Sequence, residues 1–152
     1  MKVVFTATVV FNDLLPGPKK PGVTFVFSDN LGWQTIDGKP TVGLAGTHSG
    51  THRVLRRAVA NDGVLATDTI VWEYEATFVL NAVRHDDKLL DAGQVTARGV
   101  WYARNEQLVD AGGQPTDKRR YAVTGGTGPY RAVRGEGFES ANGLTKTLEV
   151  DL

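Results

Sequence analysis

Residues 121–137 read YAVTGGTGPYRAVRGEG. Tyr121, Ala122, Val123 and Thr124 form one strand-like arm, and Tyr130 through Gly137 form the other. Between them lies Gly125-Gly126-Thr127-Gly128-Pro129. Glycine accepts φ > 0 at little cost and proline pre-sets φ, so this centre has turn chemistry. Small and β-branched residues on both sides make the stretch a β-hairpin with a longer loop. A phosphate-binding loop would need a Lys and a Ser/Thr after its last glycine, with a helix behind. Pro129, Tyr130 and a strand pattern follow instead. A dinucleotide fingerprint would need a third glycine opening a helix. The glycine run is therefore structural.

The same two-residue rhythm runs outward in both directions. Lys2 to Asn12, Val23 to Ser28 and Thr41 to Ala58 read as strands, the third interrupted at Gly46 and Gly50. Glycines inside a strand suggest bulges or a tight bend. Thr69 to Asn81 is the clearest strand, with Ile70, Trp72, Tyr74, Ala76, Phe78 and Leu80 on one face. Leu89 to Arg104 contains the next, with Val95, Ala97, Gly99, Trp101 and Ala103 on one face. The chain ends with Leu144 to Leu152, where Leu144, Lys146, Leu148 and Val150 share a face. Residues 13–22, 29–40, 84–88 and 105–118 read as loops or turns, rich in Pro, Gly, Asn and Asp. Eight strands without a helical crossover predict an all-β fold. An eight-stranded antiparallel up-and-down barrel removes exposed edges and is preferred to a β-sandwich.

Bulk properties narrow the function classes. The 152 residues suit one domain, 1–152, and carry a net charge of zero. No basic footprint for nucleic acid is visible. There are no cysteines, which excludes disulfides and cysteine catalysis. No apolar run approaches a membrane span, and the N-terminus alternates like a strand rather than like a signal peptide. A soluble, cytoplasmic protein with no membrane partner is expected.

The hairpin motif Gly125-Gly126-Thr127-Gly128-Pro129-Tyr130-Arg131-Ala132-Val133-Arg134-Gly135 resembles the signature hairpin of the dirigent and allene oxide cyclase superfamily. Val42-Gly43 with Gly46, Tyr74-Glu75-Ala76-Thr77-Phe78 and Gly93 to Trp101 resemble further allene oxide cyclase motifs in the same order. The resemblance implies an eight-stranded barrel with an internal apolar cavity. It also implies a homo-oligomer, dimer or trimer. Carried over position by position, it places pocket residues at Asn12, Phe27, Asp29 or Asn30, Tyr74 and Trp101. Val10 stands where allene oxide cyclases carry a functional glutamate, which argues against allene oxide as substrate. The resemblance further implies relatives among cyclases of bacterial polyketide pathways.

Trp72, Tyr74, Phe78 and Trp101 lie on same-parity faces of neighbouring strands. They either fill an ordinary core or line a cavity that selects a conjugated, apolar small molecule. With Asn12, Phe27 and Tyr121, Trp72 and Phe78 are the expected substrate-binding set. Tyr74, Trp101, Asp29, His48 and Arg134 are the candidate catalytic residues. Arg131 and Arg134 have opposite parity, so at most one points inward, and Arg134 is preferred. His48 and His52 face one way, but a metal site would need a third ligand, so no metal or other cofactor is expected. Arg98, Glu73 and Glu75 fall on the outer face as cross-strand ion pairs. No Ser-His-Asp order or paired-carboxylate spacing is present. The first reading is thus a cofactor-free cyclase or isomerase that works by folding its substrate. A non-catalytic lipocalin-like binder and a dirigent-like protein steering coupling stereochemistry are the alternatives.

Overall fold

The computed structural model describes residues 1–12, 19–58 and 63–152. Eight long strands carry the fold: β1 (Lys2–Asn12), β2 (Thr24–Ile36), β3 (Leu44–Arg57), β4 (Ile70–Leu80), β5 (Gly93–Arg104), β6 (Lys118–Thr127), β7 (Arg134–Ser140) and β8 (Thr145–Asp151). Each pairs antiparallel with the next, and β1 pairs with both β2 and β8. The sheet is therefore a closed up-and-down barrel, as the strand rhythm requires. Short pieces at Lys39–Pro40, Val83–His85, Lys88–Leu90 and Gln107–Val109 decorate the turns. Among the described residues no helix is long and apolar enough to cross a membrane.

Two strands run further than local sequence signals indicate. β2 continues through Asn30, Gly32 and Trp33 to Ile36, across most of the stretch expected to be a loop. It pairs there with β1 on one side and, on the other, with β3 as far as Gly32 and with Lys39–Pro40 at Thr35 and Ile36, and Leu31, Trp33 and Ile36 point into the core. Tertiary pairing and burial override the weak strand propensity of Asn and Gly. In the closing hairpin, Gly125, Gly126 and Thr127 belong to β6 rather than to the turn. The turn is a 3₁₀ element at Gly128–Tyr130, and β7 starts at Arg134.

Gly46 and Gly50 have a tighter role than that of a simple bend. A Cβ on Gly50 would lie 1.9 Å from the Glu75 carbonyl oxygen, and one on Gly46 would lie 1.8 Å from that of Val79. Glycine lets β3 press against β4 there, and the β3–β4 register runs unbroken through both positions. A bulge does adjoin Gly46, on the β2 side, between Leu31 and Gly32. This close approach sets His48 and His52 against the aromatic face of β4.

The barrel is filled unequally. Toward one end Phe5 packs on Trp33 and Phe78, with ring centroids 5.3 and 6.2 Å away, and Val3, Leu31, Ile36, Leu80, Val95 and Tyr130 complete a dry plug. At the other end, where β1 ends and β2 begins, the interior opens. The outer wall carries the expected ion pairs: Arg98 bonds Glu73 at 2.7 Å and lies 3.3 Å from Glu75, and Arg53 bonds Glu73 at 2.8 Å.

Candidate active site

A cavity of about 920 Å³ occupies the open half of the barrel. Asn12, Phe27, Asp29, His48, His52, Trp72, Trp101, Arg119 and Glu139 all contribute to its wall. Strand register builds this set from cross-strand neighbours. Asp29 lies opposite His48, His52 opposite Tyr74, and Trp72 opposite Trp101. Glu139 lies opposite both Arg119 and Lys146. Side chains of like parity on paired strands meet, so each pair delivers two groups to one interior spot.

Two charged chains meet at Asp29. In the first, the Asp29 carboxylate lies 2.9 Å from His48 Nδ1, and His48 Nε2 lies 2.5 Å from the Tyr74 hydroxyl. In the second, the Lys146 ammonium lies 3.3 Å from Asp29 and 2.5 Å from Glu139, and Glu139 also accepts from Arg119 at 3.4 Å. All of these except Arg119 are buried. Burial alone would raise the Asp29 carboxyl. The His48 hydrogen bond and the Lys146 charge outweigh it and hold Asp29 below the ordinary carboxylate value. Burial pushes the His48 imidazole down and Lys146 adds to this, against the pull of Asp29. Ionised Asp29 and neutral His48 fix the tautomer: Nδ1–H donates to Asp29, and Nε2 accepts from Tyr74. Burial pushes the Tyr74 phenol well above its ordinary value, so it stays a donor.

Above these chains stands an aromatic box. His52 sits 4.8 Å from Phe27, 5.2 Å from Trp101, 5.7 Å from Tyr74 and 6.3 Å from Trp72 by ring centroids. Trp101 stacks on Tyr74 at 4.6 Å and is tethered by its indole N–H to the Arg120 carbonyl at 3.0 Å. Burial lowers the His52 pKa to about 4.

The residues singled out in the sequence divide into three groups. Asn12, Phe27, Asp29, His48, Trp72 and Trp101 line the cavity. Tyr74, Phe78 and Tyr121 are packed beneath it; the Tyr121 hydroxyl donates to the Thr147 carbonyl at 3.4 Å. Arg134 stands apart from both. It is exposed and turns back to donate to the Val133 carbonyl at 2.8 Å, because Val133 takes the inward position of the hairpin. Arg131 is exposed as well, so neither hairpin arginine enters the barrel. Lys146 and Arg119, among the described residues, bring positive charge to the Glu139 carboxylate instead. Val10, at the position of the family glutamate, is exposed at a β-bulge between Val9 and Phe11, and Val9 faces the cavity instead. The cavity is also less apolar than expected, since carboxylates, imidazoles and guanidiniums, among them Asp29, Glu139, His48, His52 and Arg119, reach its wall.

Lys146, Glu139 and Arg119 were not identifiable as site residues by motif. Lys146 alternates with Leu144 and Leu148, which places it on the core face of β8. That break in an apolar row was the available signal.

The closed eight-stranded antiparallel barrel is the fold that the resemblance to dirigent proteins and allene oxide cyclases implies. No protein-family model matches the sequence, and no curated protein matches it. Among solved structures it is similar to a pyocyanin demethylase, at TM-score 0.59 and 19% identity over 99% of this chain and 100% of that one. Two pterocarpan synthase dirigent proteins are more remote. One has a TM-score of 0.49 at 14% identity, covering 99% of this chain and 90% of that one. The other has a TM-score of 0.48 at 13% identity, covering 99% and 85%.

Proposed function

We propose that this protein is a cofactor-free cyclase or isomerase. Its substrate is a conjugated, polyketide-like small molecule held in the open half of the barrel. The observation that carries the reading is the buried Asp29–Lys146–Glu139 cluster at the wall of an aromatic cavity. Burying charges costs several kcal/mol per ion, which paired geometry offsets only in part. A passive carrier of an apolar ligand gains nothing from that arrangement, whereas a site that moves protons or stabilises developing charge does. The similar pyocyanin demethylase is named for an enzymatic activity, which supports a catalytic use of such a barrel.

The aromatic walls supply the other half of the chemistry. Phe27, Trp72 and Trp101 bound a slot suited to flat or folded π-systems. Holding reactive ends together in it contributes several kcal/mol by proximity and orientation. The test is to incubate the protein with a panel of conjugated polyenones plus pyocyanin and to follow products by chromatography and mass. A product of unchanged mass, absent with Trp101→Ala and Phe27→Ala, supports ring closure or isomerisation. Loss of a methyl group from pyocyanin would replace that reaction with demethylation. Saturable quenching of tryptophan fluorescence with no conversion would make the protein a binder.

A further inference from the structure

We propose that His52 and Arg119, rather than His48 and Asp29, meet the reacting atoms: His52 as general base and acid, Arg119 as the cation that steadies the oxygen. The inference rests on the proton-moving reading above and assigns its site. His48 lies on the cavity wall, but both of its ring nitrogens are engaged, one by Asp29 and one by Tyr74. The side chain is 1% exposed. Asp29 is held by His48 and Lys146 together. His48 can position other groups, but neither of its ring nitrogens is left for a ligand, and the Asp29 carboxylate is committed to holding His48 and Lys146 in place. His52 has ring contacts on several sides and no hydrogen-bond partner among the described residues, and it lines the cavity. Four aromatic rings fix its plane, so its nitrogens are oriented without being engaged.

Arg119 complements it across one shared ring. Its guanidinium lies 5.2 Å from the Trp101 centroid, the same distance as the His52 ring. Among the described residues its hydrogen bonds use Nη1 alone, to Glu139 and the Ser140 carbonyl. The fork of a guanidinium holds five N–H donors, so donors on Nε and Nη2 are left for a ligand oxygen. A carbonyl compound in the slot can then place its oxygen at Arg119 and an adjacent C–H at His52. Neutral His52 takes the proton and the C–H electron pair passes into the enolate, whose oxygen is held by Arg119. Imidazolium then returns the proton to a different carbon of the conjugated system. The step is a redox-neutral isomerisation and leaves His52 as it began. The ionisable groups acting on His52 are Glu139, which favours its protonation, and Arg119, His48 and Lys146, which oppose it. Enzymes with a general base of pKa near 4 to 5 are known, and such a base is fully unprotonated at neutral pH.

The test uses 2-tetralone, a neutral bicyclic ketone with an activated α-C–H, as the probe. Deuterium exchange at that carbon is followed by NMR in heavy water, and binding is followed by tryptophan fluorescence. The wild type should accelerate exchange, with a rate that falls as pH drops through about 4. His52→Phe keeps the aromatic box and should bind the probe within about twofold while losing about a hundredfold in exchange. His52→Ala should be rescued in part by added imidazole, a response that a purely structural role would not give. Arg119→Gln should lose about tenfold to a hundredfold with its acid limb unmoved. Wild-type exchange rates in both His52 variants would overturn the assignment and leave the proposed function standing. A wild type that converts a polyenone but does not exchange 2-tetralone would also overturn it. A wild type that neither converts nor exchanges would remove the proposed function, and this assignment with it.

Discussion

The two ends of this barrel use the same strands for opposite ends. At the plugged end inward positions hold Phe5, Leu31, Trp33, Ile36 and Leu80, which exclude water and touch one another. At the open end inward positions of β2, β3, β7 and β8 hold Asp29, His48, His52, Glu139 and Lys146. One half gains stability from burial, and the other maintains desolvated charge beside a cavity. Stability and chemistry are thus separated along the barrel axis, and substitutions at the two ends should separate in the same way.

The largest expected effect is on stability and comes from the open end. Lys146→Met leaves Asp29 and Glu139 buried without their shared cation. Removing one partner of a buried ion pair typically costs about 3–5 kcal/mol; here two carboxylates lose a shared cation, while Glu139 keeps Arg119 and Asp29 keeps His48. Chemical denaturation at pH 7 should show a loss within that range. The loss should shrink in acid as the two carboxyls take up protons. A loss under about 1 kcal/mol at pH 7 would mean that water already solvates this cluster.

Next in size is a matched pair of ring deletions. Phe5→Ala opens a void in the plug and should cost about 3–4 kcal/mol while leaving ligand quenching of tryptophan intact. Phe27→Ala opens onto a cavity that already exists, so about half of that cost is expected, with binding lost. Equal destabilisation by both, or binding lost through Phe5→Ala, would remove the distinction between the ends.

Local patterns reported one end far better than the other. The plug is an alternation of apolar residues, and alternation is visible in any strand of sequence: Thr69 to Asn81 shows it plainly. The open end depends on which strand lies next to which, and in what register. Asp29 and His48 meet because β2 and β3 pair at those positions, a relation with no local trace. Glu139 and Arg119 lie at the outer ends of β7 and β6, beyond the arms visible at residues 121–137, so they read as loop-proximal surface charges. Arg134 shows the converse: its place in the hairpin motif suggests an inward side chain, but Val133 takes the buried site. A buried charge also looks like an exposed one in a sequence; only its partners, found through register, reveal it.

Acid should weaken the open end selectively. The His52 pKa is about 4 in the folded protein against an ordinary 6.5. The unfolded chain therefore binds more protons between those values, and stability rises with pH there. This contribution is complete above pH 6.5 and lost progressively down to about 4, at most about 3 kcal/mol in all. His48, also depressed, acts in the same direction. In His52→Phe the slope of stability against pH should flatten over this window while the plug is unaffected. An unchanged slope would place His52 in water rather than in the aromatic box.

The smallest expected effect comes from Tyr74→Phe, and it bears on the layering within the open end. The Tyr74 ring is fully buried, stacked between Trp101 at 4.6 Å and Phe27 at 5.9 Å, and phenylalanine keeps both contacts. The lost hydroxyl donates to His48 Nε2, so the change leaves one buried acceptor without a donor. An unsatisfied buried acceptor costs about 1–3 kcal/mol, and the lower part of that range applies because His48 reaches the cavity wall, where water can approach. Binding of a conjugated probe should change by less than about twofold, since the hydroxyl points at His48 and not into the cavity. Exchange of 2-tetralone should likewise persist, in contrast to the loss expected for His52→Phe. A tenfold fall in probe affinity or exchange, with stability barely moved, would show that Tyr74 reaches the ligand. The buried chain would then be part of the reacting surface rather than the layer beneath it.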